Sequence, residues 1–113
     1  YGSVPFRTEL LSIDHYDQPA ELINLAQQYV KVLDNGDGVL ILTDMFGSTP
    51  SNIAKQFCHM KNVNVVSGIN LSMLLNIFNY PKLNLKEITN KALEGGKDGV
   101  IQINHERKKN NYK

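Results

Sequence analysis

Gly38-Val39-Leu40-Ile41-Leu42-Thr43-Asp44-Met45-Phe46-Gly47-Ser48-Thr49-Pro50-Ser51-Asn52 is the most informative segment of this 113-residue chain. It begins with an uninterrupted apolar run, which is typical of a strand that is buried on both faces. An acidic residue follows, and then a glycine, two hydroxyl residues and a proline lead into a helical pattern. The segment therefore predicts a strand, a tight turn and a helix N-terminus, a junction whose backbone N–H groups can hold an anion such as phosphate.

The acidic residue of this turn, Asp44, restricts which groups can lie beside a bound phosphate. A carboxylate next to a phosphate site would repel the ligand unless it faced a cation, which would be a metal ion or a protonated imidazole. No cluster with metal-ligand spacing accompanies Asp44, so we expect no metal and no cofactor. The competing structural interpretation is that Asp44 only caps the turn or bonds to nearby backbone.

Strand patterns alternate with helical patterns along the chain, which predicts an α/β fold with a mainly parallel sheet. We expect strands at residues 10–14, 38–42, 63–68 and 100–103. The predicted N-caps of the intervening helices are Asp17, Thr49 (with Pro50 first in the helix), Asn70 and Asn84, the last in a capping box with Glu87. The predicted helix ends are Asn35-Gly36, the residue before Pro81, and Gly95-Gly96.

In such sheets ligands bind beyond the carboxyl ends of the strands. The loop after the 38–42 strand brings Asp44 and Gly47 to Thr49 to that edge, with Met45 and Phe46 beside them. Gly68 and Asn70 reach the same edge from the following strand. These residues form the predicted site.

Composition and charge exclude several classes of protein. The apolar fraction of 42% is enough for a core, and the net charge is +1. Residues 104–113 hold four basic residues and one acidic residue, whereas the rest holds eight basic and ten acidic residues. We therefore expect one domain over residues 1–103, a polar, basic tail over 104–113, and no nucleic-acid binding. The single cysteine, Cys58, excludes an internal disulfide and is predicted to be buried on a helix face.

Residues 42–52 resemble the signature of the mannose-family IIA components of the bacterial sugar phosphotransferase system. In that family an apolar strand ends in Asp, followed by two residues, a Gly pair, Ser, Pro, a variable residue and Asn. Residues 67–75 resemble the family's Gly-x-Asn-Leu-Pro-Met-Leu run, and residues 94–100 resemble its closing Gly-x-x-Gly-Val. The three blocks occur in the family's order and spacing over nearly the whole chain.

The chain also departs from the family pattern. Ser48 replaces the second Gly of the pair, Thr49 replaces the Ser, and Ser72 replaces a Pro. Family members begin with a strand and helix that this chain lacks, and that first strand ends in a His-Gly pair whose His carries the phosphoryl group. The family sheet order, 2-1-3-4, makes this strand central. We therefore expect a further N-terminal segment in the cell, with the active histidine upstream of Tyr1.

The three histidines of the chain are poor candidates for that role. His15 follows the first predicted strand, but with the central strand in place it would lie two strand spacings, roughly 10 Å, from Asp44. His59 is more than two helical turns beyond Thr49, and His105 belongs to the tail. His59 and His105 are predicted to be ordinary surface residues.

The resemblance implies a three-layer α/β fold with helices on both faces of the sheet and a short antiparallel C-terminal strand. It implies a cytoplasmic phosphocarrier that accepts a phosphoryl group from HPr on a histidine and passes it to a IIB component for sugar uptake. Asp44 would orient and stabilise that histidine, while Gly47, Ser48 and Thr49 would bind the phosphoryl group. The resemblance also implies a homodimer, in which residues 100–103 pair with the partner's sheet. The domain would contact a membrane only indirectly, through its transporter partners.

Two other functions fit the same residues. The domain could sense phosphorylation without feeding a transporter, as relatives that serve dihydroxyacetone kinase or transcription regulators do. Alternatively, an unrelated flavodoxin-like module could bind a nucleotide phosphate at the loop of Ser48 and Thr49. That module would be stabilised by nucleotide and would not transfer a phosphoryl group.

Overall fold

Two short parallel strands form the centre of the fold. The structure is a computed structural model that describes Leu11 and residues 18–104. Strand β1 is Val39–Leu42 and strand β2 is Val63–Val66, paired so that Val39 lies opposite Val63 and Leu42 opposite Val66. The helices are α1 (Pro19–Leu33), α2 (Thr49–Ala54, continued by a 3₁₀ turn at Lys55–Phe57), α3 (Leu71–Phe78) and α4 (Leu85–Asp98).

Helices pack against both faces of this sheet because successive side chains of a strand point to opposite sides. On one face, Val39 and Val63 form a buried cluster with Val30 of α1 and Phe57 of the 3₁₀ turn. On the other face, Val66 packs with four buried residues of α3 and α4, which are Met73, Ile77, Ile88 and Ala92. The predicted α/β class with a parallel sheet is confirmed. The four-strand order stays a prediction.

The helices begin where polar side chains meet free backbone N–H groups. The Asn70 side chain accepts a hydrogen bond from the Met73 N–H at 2.9 Å, and Asn84 forms the predicted capping box with Glu87. The predicted N-cap of α2 was wrong by one residue: Ser48 is the cap, and Thr49 is the first helical residue. The position before α1 is occupied by Gln18, which makes no side-chain cap, and Asp17 lies outside the described residues.

Two further predictions about helix faces and ends were wrong. Helix α4 does not stop at Gly95-Gly96 but continues to Asp98, and Gly95 is buried. Cys58 is exposed. The buried residues of α3 are Met73 and Ile77.

The strand predicted at residues 100–103 does not form in the single chain, where residues 100–104 have no regular secondary structure. The predicted strand at 10–14, of which only Leu11 is described, and the tail after residue 104 lie outside the described part of the chain. Within that part, no helix has both the length and the apolar character needed to cross a membrane.

The approach of α4 to α3 gives a paired prediction. A Cβ atom on Gly95 would lie 2.7 Å from the Asn76 Cβ atom and 2.8 Å from the Ser72 carbonyl oxygen, neither of which is a flexible chain end. A Cβ atom on Gly96 would meet chiefly the terminal methyl of Met73, which can move aside. We therefore expect Gly95→Ala to lower the free energy of unfolding by about 1–2 kcal/mol, because overcrowding outweighs the gain in helix propensity.

The matched control is Gly96→Ala, for which we expect a gain of up to about 1 kcal/mol from helix propensity. Urea denaturation of the two variants at equal protein concentration measures both values. Equal effects in the two variants would contradict the close approach of the helices at Gly95.

Candidate functional site

The site is built where the two strands end. The Thr43 N–H donates to the Val66 carbonyl oxygen at 3.0 Å, which carries the backbone pairing one residue beyond β1. The Gly68 N–H then donates to the Asp44 carbonyl oxygen at 2.7 Å, and the Ile69 N–H donates to that of Thr43 at 2.9 Å. These bonds bring together the two loops that the sequence predicted to share an edge.

The Asp44 carboxylate is exposed to solvent and is held by two neighbouring hydroxyls. The Ser48 hydroxyl donates to its Oδ1 atom at 2.5 Å, and the buried Thr43 hydroxyl donates to the same atom at 3.4 Å. Within residues 18–104, no hydrogen bond reaches Oδ2 and no cation pairs with this carboxylate. Among these residues, both hydroxyls therefore donate to one carboxylate oxygen, and the other oxygen accepts no hydrogen bond.

The loop between Asp44 and α2 is a tight turn. Gly47 has a φ of +93°, a backbone conformation that glycine adopts far more readily than other residues. The Ser48 N–H donates to the Met45 carbonyl oxygen at 3.1 Å, and the Asn52 side-chain amide donates to the Gly47 carbonyl oxygen at 3.4 Å.

Some backbone N–H groups of the predicted anion site already have acceptors within the turn and the helix. The Ser48 N–H is already paired inside the turn, and the Ser51 N–H donates to the Ser48 hydroxyl at 3.3 Å. Thr49 is exposed and is the first helical residue, so its N–H has no acceptor within the helix. Its N–H and hydroxyl remain the donors that an anion could use.

The rim of the site is apolar. Met45 and Phe46, predicted at the pocket edge, are 72% and 77% exposed. Both side chains therefore lie largely in solvent, on the two residues that follow Asp44 in the chain.

The second loop of the site is anchored through Asn70. Its side-chain oxygen caps α3, and its side-chain nitrogen donates to the Gly96 carbonyl oxygen of α4 at 3.0 Å. Gly68, with a φ of +83°, forms the turn between β2 and this residue. The Asn70 side chain is thus used on both sides for support, and the predicted role of Gly68 and Asn70 as pocket-edge residues stays a prediction.

Sequence reasoning missed the hydrogen bond between the Ser48 hydroxyl and the Asp44 carboxylate. The signal was present, because a serine follows the acid by four residues and begins a helical pattern. Because Thr49 was predicted to be the cap, the Ser48 hydroxyl was not considered as a partner of Asp44.

The one histidine among residues 18–104 is not near this edge by chain position. His59 is exposed and precedes β2, at the amino end of the parallel strands, whereas Asp44 follows β1 at their carboxyl end. His15 and His105 lie outside the described residues. The same residues 18–104 contain no group of three His, Cys, Asp or Glu side chains that could hold a metal ion.

One family model matches most of the chain. The family model EIIA-man, described as PTS system fructose IIA component, matches residues 9–93, which include Asp44, Gly47 to Thr49, Gly68 and Asn70. The crystal structure of phosphotransferase system component EIIA from Streptococcus agalactiae superposes with a TM-score of 0.65 at 23% identity, covering 76% of this chain and 68% of that chain. This level of similarity shows a shared fold. A search of curated proteins found no significant match.

Proposed function

The chain belongs to the EIIA-man family of phosphotransferase-system IIA components, and on that basis we propose that it relays a phosphoryl group from phospho-HPr through a histidine to a IIB component. The observation that carries the proposal is the Asp44 carboxylate, which is exposed at the carboxyl edge of the sheet and whose Oδ2 atom accepts no hydrogen bond from residues 18–104. In the proposed relay, the phosphocarrier histidine lies at this edge of the sheet and needs a carboxylate that accepts a hydrogen bond from its imidazole ring.

Asp44 is proposed to act on the imidazole and not on the phosphoryl group itself. A neutral imidazole nitrogen attacks phosphorus as the N–P bond of the donor phosphohistidine breaks, and the second ring nitrogen keeps its proton. Positive charge develops on the accepting ring. A carboxylate that accepts the hydrogen bond from this second nitrogen fixes the tautomer and stabilises the charge.

Thr49 is proposed to bind the phosphoryl group by hydrogen bonds, and Gly47 is proposed to form the turn that places Thr49. Negative charge spreads over the equatorial oxygens during transfer, so fixed donors around them lower the barrier. The Thr49 N–H and hydroxyl supply two such donors. The Ser48 N–H is not proposed to contact the phosphoryl group, because it is paired with the Met45 carbonyl oxygen.

The accepting histidine is proposed to lie on a strand N-terminal to Tyr1. This follows the family pattern, in which the phosphoryl group is carried at the end of the strand next to the one that ends in Asp44. The position of His59 at the opposite end of the strands supports this assignment against that residue.

The test uses the natural full-length protein with Enzyme I, HPr and labelled phosphoenolpyruvate. We expect acid-labile label on one histidine upstream of Tyr1, and onward transfer of that label to a IIB component. Label that is not passed on would favour the phosphorylation-sensing role. Absence of label, together with stabilisation by a nucleotide, would replace the proposal with the nucleotide-binding alternative.

We further propose that the working unit is a cytoplasmic homodimer. Residues 100–104 have no regular structure in the single chain. This segment exposes two apolar side chains, since Val100 and Ile103 are 78% and 87% exposed. Pairing of this segment with the sheet of a second copy would bury these side chains. Sedimentation equilibrium of the full-length protein gives the mass that decides between one and two copies.

A further inference from the structure

The Ser48 side chain links the Asp44 carboxylate to the start of α2. Its hydroxyl accepts a hydrogen bond from the Ser51 N–H at 3.3 Å and donates its single proton to Asp44 Oδ1 at 2.5 Å. Because the Ser51 N–H is part of the helix backbone, the hydroxyl is held in place on one side. It therefore ties a solvent-exposed carboxylate to a fixed backbone position.

This link bears on which carboxylate oxygen is free. An exposed aspartate on a loop would otherwise sample several side-chain rotamers. Here the hydroxyls of Ser48 and Thr43 both donate to Oδ1, and in the part of the chain that the structure describes no donor reaches Oδ2. The arrangement leaves Oδ2 as the oxygen for an incoming imidazole N–H.

We propose that Ser48 is a positioning residue for Asp44, whose hydroxyl holds Oδ1 so that Oδ2 is presented in one orientation to the phosphoryl-accepting imidazole. This inference rests on the proposed function and deepens it. The glycine that the family motif carries at this position has no side chain to make the contact, so the hydroxyl is a feature of this chain.

The key variant is Ser48→Gly. Glycine is nearly as good an N-cap as serine, and the φ of −70° and ψ of 166° at this position suit it, so the melting temperature should change little. The rate constant of phosphoryl transfer should fall roughly tenfold, the value of one hydrogen bond to a charged group, while the KM for phospho-HPr stays constant. Ser48→Thr keeps the hydroxyl and should transfer the phosphoryl group at close to the wild-type rate.

The matched control is Asn84→Gly, which changes the N-cap of α4 in the same way. Among the described residues, the side chains of Asn84 and Glu87 hydrogen-bond only to each other's backbone N–H groups and not to the site loops, so this variant should transfer at the wild-type rate. A Ser48→Gly variant that transfers as fast as Asn84→Gly would overturn the proposal.

A double-mutant comparison separates positioning from capping. If Ser48 acts through Asp44, the change Ser48→Gly should have no further effect in a protein that already carries Asp44→Asn. An equal loss in both backgrounds would mean that Ser48 acts through the helix or the backbone and would contradict the positioning role.

An independent measurement requires no phosphoryl donor. Three-bond NMR couplings report the χ1 rotamer of Asp44 directly. We expect one rotamer in the wild type and in Ser48→Thr, and averaged couplings in Ser48→Gly. Averaging in the wild type would overturn the positioning proposal whatever the labelling experiment shows. A single rotamer in a wild-type protein that accepts no label would instead locate the failure in the proposed relay.

Discussion

Asp44→Asn should lower the rate of phosphoryl transfer by about a hundredfold or more in the full-length protein. The amide keeps the size of the side chain but carries no negative charge, so it cannot stabilise the imidazolium that develops during transfer. It also offers a donor where the histidine needs an acceptor. Because Asp44 is exposed, the free energy of unfolding should stay close to that of the wild type. Rapid-quench measurement of labelled phosphohistidine gives the rate.

The control is Asp37→Asn, a substitution of the same type on the loop that precedes β1. Asp37 is also exposed but lies at the amino end of the strand, away from the site. This variant should transfer at the wild-type rate. If Asp44→Asn and Asp37→Asn were equally active, Asp44 would have only a structural role in its turn.

Phe57→Ala should cause the largest loss of stability, about 3–5 kcal/mol in the free energy of unfolding. Phe57 is only 2% exposed and fills the cluster that joins α1 to the sheet through Val30, Val39 and Val63. Its removal leaves a cavity in addition to the lost burial of the ring. Urea denaturation at a fixed protein concentration measures the change, since association would otherwise shift the midpoint.

Phe46→Ala is the matched control, because the same atoms are removed from a side chain that is 77% exposed. Its unfolding free energy should differ from the wild type by less than about 0.5 kcal/mol. A comparable loss in the two variants would show that the cluster around Phe57 is not the core of the domain.

Much of the fold and part of the site follow from local patterns. The apolar run of β1 ending in Asp44 predicts a parallel strand with a carboxylate at its carboxyl end, and the structure contains both, although of the four strand residues only Val39 is fully buried. Asn70 and Asn84 were identified as caps because a cap needs only an acceptor within reach of nearby N–H groups. Such interactions span a few residues, so the sequence contains all the information that determines them.

The errors arise where a local pattern allows more than one outcome. An α-helical period predicts that Cys58 shares a face with Phe57 and Ala54, but residues 55–57 form a 3₁₀ turn. With three residues per turn, Ala54 and Phe57 stay aligned while Cys58 rotates away into solvent.

The buried face of α3 was ambiguous for a similar reason. Helical spacing places Leu71, Leu74, Leu75 and Phe78 on one apolar stripe, but Leu74 and Phe78 are only partly buried, and Leu71 and Leu75 are exposed. Because apolar residues occur on several sides of this helix, its pattern does not select one face. The packing partners do so, since α4 and β2 bury Met73 and Ile77 instead.

By itself the sequence determined the strand, the turn, the two asparagine caps and the carboxylate at the edge of the sheet. These depend on backbone preferences and hydrogen bonds between residues that are close along the chain. Only the tertiary structure decided that α4 runs on through Gly95, that Met73 and Ile77 face the core, and that the Ser48 hydroxyl holds Asp44. Those outcomes depend on close contacts between elements, or on one hydroxyl serving two partners, and local propensity does not encode such contacts.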